Sequence, residues 1–561
     1  MPRSWIHARF DFSVPIPELI LAPALLFAAC VFLSNRFSLQ SHGLFSLGVP
    51  ISIVLPVIAV LTSAVVSDQF RSFSFFGGFS PLPRLAGNLV IFWIAAQIPR
   101  ARITGICRWW VIAASVIATN ALIRIGTEPE FVSTFGNRNF LAVYLAASVV
   151  IAISIRRPWS IAAAVLFVVA MLFCHSRGAW LSLTVVLSLW FLACGNEFLR
   201  SWVSRALLVL FLVVATTFFA APYILRQWDN DVRPMIWRST LRMIAAKPIL
   251  GQGLGTYVAA YPRYRVPEYF LRHKSTNVTD HAHNELLEIA AEQGVVGLAA
   301  MMWLWLAILN RGRQQCFRGV PSETKANFGV FGATLLFMLH SLVDIDLRFL
   351  PNQSLFWLLL GLVVADSAPL PHQHLLSFHS VLVRRSLAAI CILGGLCVFV
   401  NAVLDPLVAE WNDRQARLAE EKSDWVGVTE FCVDALRFEP FRLTTDYLLA
   451  QALSKLPGSN SYNAAIEQCL QIEKIAPDYA DVTYNLGQLY LAGGKAEAAL
   501  PYLRRAVEIN PYDPARRVVL SAALQALGKD AEAKRELEQS SRTPGSLQDS
   551  FKDSRNSKSR F

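Results

Sequence analysis

Residues 139–175 read NFLAVYLAASVVIAISIRRPWSIAAAVLFVVAMLFCH, and this stretch decides the fold. Two apolar runs, 139–155 and 159–175, are separated by Arg156 and Arg157. A membrane-crossing helix needs about 20 mostly apolar residues. Working outward, similar runs recur at 16–34, 44–66, 84–98, 106–123, 178–194, 205–222, 286–309, 326–345, 353–369 and 385–404. Composition agrees: of 561 residues 54% are hydrophobic and 16% charged, with mean hydropathy +0.42. Soluble domains carry about 25% charge, so lipid is the solvent for much of this chain. The first run lacks a small-residue cleavage site and further spans follow it, so it reads as a span and not a cleavable signal.

The charge is uneven. Residues 1–404 hold 31 Lys and Arg against 17 Asp and Glu, whereas 405–561 hold 20 against 23. Two unlike domains follow: a membrane domain over 1–404, with a long loop at 223–285, and a polar domain over 405–540. The polar half has no dense basic block, which argues against nucleic acid as a partner. One set of alternating short loops carries 14 Lys and Arg and the other, without the long loop, carries 8. Basic loops stay cytoplasmic. The loop 223–285 and everything after residue 404 are therefore expected outside. The same parity puts the basic N-terminus outside, which an additional span near the start would repair.

In the polar half, residues 480–513 show Leu486, Gly487, Tyr490, Gly494, Ala499, Leu503, Ala506 and Pro511. Small residues at fixed offsets let two helices pack closely, and the proline ends the second. This resembles the tetratricopeptide repeat, whose period is 34 residues. Leu520, Leu524, Gly528, Ala533 and Leu537 repeat the offsets; Ala465 and Pro477, then Ala435 and Pro440, carry them backward. The expected fold class is all-α: a polytopic bundle of about 12 transmembrane helices followed by an α-solenoid. Such arrays offer a surface to protein partners. The tail 541–561, rich in Ser, Lys, Arg and Asp, reads as disordered. The nine cysteines form no framework and no zinc spacing. Cys432 and Cys469, at equivalent places in neighbouring repeats, are expected as free core thiols.

The long loop is where chemistry concentrates. It holds Asp229, Asp231, Arg233, Trp237 and Arg238, then KPILGQGLG at 247–255, and ends on TDHAHN at 279–284. With Asp280 as N-cap, a helix is expected to run to Asn310, about 29 residues or about 43 Å, longer than the bilayer core of about 30 Å. Its first turn would then stand clear of the membrane and carry His281 and His283. A helix N-terminus presents free N–H groups and partial positive charge. It would favour a diphosphate and keep a histidine neutral. Asn284, Glu288 and Glu292 share one stripe of that helix, so the carboxylates should face the bundle interior. Asp229 and Asp231 lack a third ligand, so no metal site is expected. Asp344 and Asp346, near Arg348, read as ion-pair partners.

At this point the residues resemble a family. His283-Asn284, nine residues, Gly294, two residues, Gly297 is similar to the signature of the O-antigen ligase and polymerase family. In order along the chain, Phe135-Gly136-Asn137-Arg138-Asn139, Ser176-Arg177-Gly178-Ala179, and Arg233 with Trp237 and Pro248, Gly251 and Gly253 agree with it. Phe75-Phe76-Gly77-Gly78 with Arg84 resembles a feature of members that also carry tetratricopeptide repeats. The resemblance implies a glycosyltransferase of the bacterial inner membrane with its repeats in the periplasm. Its members move a glycan from a polyprenyl-diphosphate carrier to a glycolipid, a growing glycan or a protein. It implies His283 as the catalytic base that takes the acceptor hydroxyl's proton. Arg177 and Arg233 match its basic positions, with Arg238 close enough to assist, since arginine binds phosphate bidentately. Asn139 and Asn284 within the motifs, and Glu292, complete the candidate substrate-binding set. No diffusible cofactor is expected. The competing readings are repeat-unit polymerisation, transfer onto protein, a lipid-glycan transporter without catalysis, and a scaffold.

Overall fold

The computed structural model describes residues 81–125, 135, 137–193, 232–271, 279–318, 324–365 and 404–542. The candidate spans 16–34, 44–66, 205–222 and 385–404, the stretch 75–78, the pair Asp229 and Asp231, and the tail beyond Arg542 lie outside those residues. Among the described residues regular structure is helical throughout. The order is α1 (Pro81–Ala96), α2 (Arg100–Ile123), α3 (Arg138–Ile155), α4 (Pro158–Cys174), α5 (Arg177–Ala193), α6 (Arg233–Ala246), α7 (Tyr257–Ala260), α8 (Glu285–Arg318), α9 (Thr324–His340), α10 (Leu350–Val364), α11 (Asp405–Glu421), α12 (Trp425–Phe438), α13 (Leu443–Lys455), α14 (Ser459–Ile475), α15 (Val482–Ala492), α16 (Ala496–Ile509), α17 (Pro514–Ala526) and α18 (Asp530–Arg542). Eight of the twelve candidate runs coincide with helices α1 to α5 and α8 to α10. Three of those helices, at Arg100–Ile123, Arg138–Ile155 and Glu285–Cys316, are long and apolar enough to cross a membrane.

The quoted stretch forms the centre. Every residue of α3 from Phe140 to Ala152 is buried. A helix apolar on all faces has no side to give to water and belongs inside a bundle. Helices α2, α4, α5 and α9 surround it. Lipid offers no hydrophobic drive for helix association, so close approach of backbones supplies the cohesion. Glycines permit it. A Cβ on Gly332 of α9 would lie 2.8 Å from Val150, and one on Gly361 of α10 would strike the Phe92 carbonyl of α1. The buried Trp110 indole donates to Ser148 Oγ at 2.9 Å, fixing α2 on α3.

Helix α8 departs from expectation at both ends. It begins at Glu285, not directly after Asp280, and runs 34 residues to Arg318 with a break at Gly294 (φ 65°, ψ −166°). Asn284 is its cap, accepting from the Leu287 N–H at 3.0 Å. Residues 279–284 are non-helical because their polar groups are tied elsewhere, as described below. The break explains the glycine spacing. The loop after α6 crosses the bent helix so closely that backbones bond directly: Gln252 N to Ala291 O at 3.0 Å, Gly253 N to Glu292 O at 2.8 Å, and Val295 N to Pro248 O at 2.8 Å. A Cβ on Gly251 would collide with the Glu292 carbonyl, and one on Gly294 with that of Ile249. Both glycines also have positive φ, at 69° and 65°. Two glycine motifs far apart in sequence are thus the two sides of one crossing.

Helices α11 to α18 form four successive helical hairpins, with Pro440, Pro477 and Pro511 just past the second helix of the first three. Leu486, Ala499, Leu503 and Ala506 are fully buried, as the repeat offsets require. Cys432 and Cys469 are buried free thiols in separate apolar clusters.

Candidate functional site

Four separate segments meet around Asp344. It follows α9, in a turn that leads through a short 3-10 helix (Asp346–Arg348) into α10. Asn139 Nδ2, from the first turn of α3, donates to Asp344 Oδ2 at 2.6 Å. Arg233 Nη2, from the first residue of α6, lies 3.5 Å from the same oxygen. His283 Nδ1 lies 3.5 Å from Asp344 Oδ1. Asp344 sits at the bottom with its side chain 6% exposed, while His283 and Arg233 are 34% and 32% exposed. The cluster therefore opens to the protein surface through the histidine and the arginine. Burial alone would raise the Asp344 pKa. His283, Arg233 and His340 outweigh it and hold the carboxyl well below the usual carboxylate range.

Local sequence explains each placement. Phe135 stacks on Tyr144 at 5.0 Å, and Phe140 on Phe349 at 4.7 Å. Asn137 caps α3, accepting from Asn139 N at 2.8 Å. The aromatic pairs pull the turn after α9 onto the start of α3, and the cap aims Asn139 at it. At the start of α5, a Cβ on Gly178 would lie 2.8 Å from His340 Nε2 and 3.1 Å from Val343. Arg177, half-buried, is therefore at the flank of the Asp344 turn.

His283 is held by its neighbours. Trp237 Nε1 donates to Ala282 O at 2.9 Å, Ala282 N to Glu288 Oε2 at 2.8 Å, and Glu285 N to Ser341 O at 2.8 Å. Asn284 Nδ2 donates to Leu342 O at 2.8 Å. Between these ties His283 adopts φ 52°. A left-handed non-glycine residue costs about 1–3 kcal/mol and persists only where the surroundings dictate it. These ties correct two expectations. The N–H groups of Glu285, Leu287 and Glu288 at the helix start are not offered to a diphosphate, because they already donate to Ser341 O, Asn284 Oδ1 and Asn284 O. Nor does the helix start hold the His281 pKa down. His281 Nδ1 meets Glu288 Oε1 at 2.8 Å. Burial lowers its pKa, but the Glu288 charge and hydrogen bond raise it more, so the net shift is upward.

The other candidates divide. Asn139, Asn284, Arg233 and His283 are brought together. Arg238 is not: it faces Glu268 at 3.9 Å and is 63% exposed. Glu292 belongs to a second cluster. Arg348 Nη1 donates to Glu292 Oε2 at 2.8 Å, and its Nε lies 3.2 Å from Glu285 and 3.5 Å from Glu288. Glu292 also accepts from Tyr257 N at 3.2 Å, tying α7 to α8. Arg348 is thus paired with the α8 carboxylates, while Asp346 pairs with His340. The expected pairing of Asp344 and Asp346 with Arg348 is replaced by these partners. Sequence reasoning missed Asp344 as the hub. Its one signal is an acidic residue just past an apolar helix, at the same end as the His283 loop.

Chemically, an imidazole on a buried, ionised carboxylate with an arginine alongside suits proton abstraction beside an anion. Comparison with known proteins finds two matches, each to part of the chain. The family model described as O-antigen ligase matches residues 162–302, and the tetratricopeptide repeat model matches residues 480–513. The first span includes Arg177, Arg233, His283, Gly294 and Gly297; Asn139 and Asp344 fall outside it. No curated protein matches the chain. The chain is therefore a helical membrane protein carrying an O-antigen ligase family segment and, beyond it, a tetratricopeptide repeat.

Proposed function

We propose that this protein transfers a glycan from a polyprenyl-diphosphate carrier to an acceptor hydroxyl at the outer face of a bacterial inner membrane, with the repeats in the periplasm. The observation that carries the reading is the meeting of His283, Asn139 and Arg233 on Asp344. The acceptor oxygen attacks the anomeric carbon as the bond to the diphosphate breaks. Its proton passes to His283 Nε2, while Nδ1–H donates to Asp344. The two atoms stand 3.5 Å apart and close to hydrogen-bond distance as substrate binds, as catalytic contacts do. Asp344 steadies the imidazolium without taking the proton. The electron pair leaves with the lipid diphosphate, whose growing charge Arg233 and Arg177 offset. A single displacement inverts the anomeric centre.

Purified protein with a lipid-linked glycan and a candidate acceptor tests this. Wild type should transfer and His283→Ala should not. Retained transport of the lipid-linked glycan without transfer in wild type would replace the reaction with a carrier function. Glycan profiling of a deletion strain separates the acceptors: lost attachment means ligation, shortened chains mean polymerisation, and unglycosylated protein means a protein acceptor. Alkaline phosphatase fused after residue 410 should be active; strong activity from a cytoplasmic reporter there would overturn the orientation.

A further inference from the structure

The repeats do not stand apart from the loop that carries the site. Ala259 and Val258 of α7 share one apolar cluster with Leu443, Ile466, Tyr479 and Leu486 of α13 to α15. A second cluster joins Tyr512 and Ile509, at the end of α16, to Tyr257, Tyr261, Trp237 and Ala282. Ala282 is the residue before His283. The turn between α14 and α15 has an unusual shape: Asp478 and Ala480 both have positive φ, 63° and 47°, with Tyr479 between them 1% exposed. That strain delivers the Tyr479 ring into the loop. Next to it Arg265, 8% exposed, lies 5.2 Å from the Tyr269 ring, 5.3 Å from Phe270 and 5.6 Å from Tyr261, with Nε and Nη2 making no hydrogen bond. Ring faces are what compensate its buried charge. Tyr479 is close enough to Arg265 and Asp280 to feel both charges. Tyr269 in turn accepts from Thr279 Oγ1 at 2.9 Å, at the start of the His283 segment.

We propose that the repeat array braces the catalytic loop: Tyr479 and Tyr512, presented by the turns between repeats, hold residues 257–271 so that residues 279–284 keep His283 in its left-handed, site-facing conformation. Tyr479 is then a positioning residue that acts through the loop and not on the substrate. The proposal rests on the transferase reading for its kinetic consequence only; the conformational consequence stands by itself. A strained His283 needs all its ties. Releasing the loop lets residues 279–284 relax and misplaces the imidazole, and a misplacement of about 1 Å costs about 100-fold in rate.

Hydrogen exchange on the full-length protein tests this, with Tyr479→Ala, Tyr479→Phe, Tyr512→Ala and, as control, Leu503→Ala. Leu503 is fully buried in a repeat cluster that includes none of the described loop residues. Tyr479→Ala and Tyr512→Ala should speed exchange in 279–284 and lower kcat about 10- to 100-fold, with KM for the lipid-linked donor nearly constant. Tyr479→Phe keeps the ring and should restore both. Leu503→Ala should loosen its own repeat and leave 279–284 unchanged. If exchange in 279–284 is unchanged in both alanine variants, or rises equally in Leu503→Ala, the brace is wrong. If exchange behaves as expected but wild type transfers no glycan, the brace holds and the reaction assigned to the site fails.

Discussion

Two ion clusters sit a few residues apart beside the start of α8, and they differ in what they have left to give. Around Arg348, three carboxylates from consecutive turns of α8 close on one guanidinium that is 15% exposed. Every charge there has a partner inside the protein. Around Asp344 the carboxylate is the buried member, and its partners His283 and Arg233 keep about a third of their surface open. Both clusters use the same chemistry. What separates a structural clamp from a reactive site is which member is outermost. Buried charges left unpaired are costly, so the Arg348 cluster can only hold. The Asp344 cluster can accept a proton on one side and an anion on the other.

Removing the centre of each cluster should therefore give opposite failures. His283→Ala should lower turnover about 10²- to 10⁴-fold, the contribution of a positioned base. Expression and thermal stability should barely change, because the side chain is a third exposed and its own backbone is tied through Ala282 and Asn284. Arg348→Ala should do the reverse, costing about 3–5 kcal/mol by leaving buried carboxylates unpaired. Membrane yield and the melting temperature would show it. Near-normal turnover in His283→Ala together with an inactive His281→Ala would move the base to the other histidine. An Arg348→Ala protein of wild-type stability would remove the clamp from the comparison.

Asp344→Asn tests the hub with smaller force. The amide keeps the size but removes the charge that steadies the imidazolium, so turnover should fall about 100-fold, the lower end of a base's contribution. In wild type this carboxyl is held below its usual range, so its stabilising effect is present above the ordinary carboxylate pKa and is lost only as pH falls through its lowered value. Activity at pH 5 should not be limited by this group. Below it in size, Arg233→Lys keeps charge but loses the planar fork, and should cost about tenfold in kcat/KM if phosphate contact is bidentate. Arg238→Lys, on a side chain that faces Glu268, should be neutral. Equal losses in the two variants would mean that loop charge in general, not the Asp344 cluster, holds the donor.

The sequence shows the helices clearly because burial in lipid writes itself as long apolar runs. Both ends of α3 and the start of α5 fall within two residues of the expected bounds. The site was legible only as separate motifs. His283, Asn139 and Arg233 were each visible, but the residue that gathers them was not, since Asp344 is 205 residues from Asn139 and 111 from Arg233. The error at Asp280 has the same origin. Local capping chemistry favoured Asp280 as the cap, but Trp237 binds Ala282 O and Ser341 takes the Glu285 N–H, so tertiary ties set the boundary four residues later, with Asn284 as the cap. The glycine spacing was legible as a pattern. Its cause, the crossing of Gly251 over Gly294, needs the two segments placed together.

The smallest effect separates the two histidines by pH. His281 faces Glu288, whose other oxygen accepts from Ala282 N. Its folded-state pKa is raised, so the folded protein binds a proton more tightly than the unfolded chain does. Stability from this pair is therefore complete below the ordinary histidine pKa near 6.5 and is lost as pH rises through the higher folded value. Asp280 beside it, pushed up to about 6 by burial, gives a downward slope too, but in the window between the ordinary aspartate pKa and about 6. The two are distinguishable by pH range. His281→Gln should cost about 1 kcal/mol at pH 6, the scale of one ordinary hydrogen bond, since the glutamine amide can still donate to Glu288, and less at pH 8. Its melting temperature should lose the wild-type decline above pH 6.5 and keep the decline below 6. Turnover at pH 7 should change little, because His281 faces Glu288 and not the Asp344 cluster. A His281→Gln protein with the wild-type slope above pH 6.5 would show that the imidazolium–carboxylate pair does not form. One with unaltered melting but lost turnover would put His281, and with it the Arg348 side of the comparison, into the reaction.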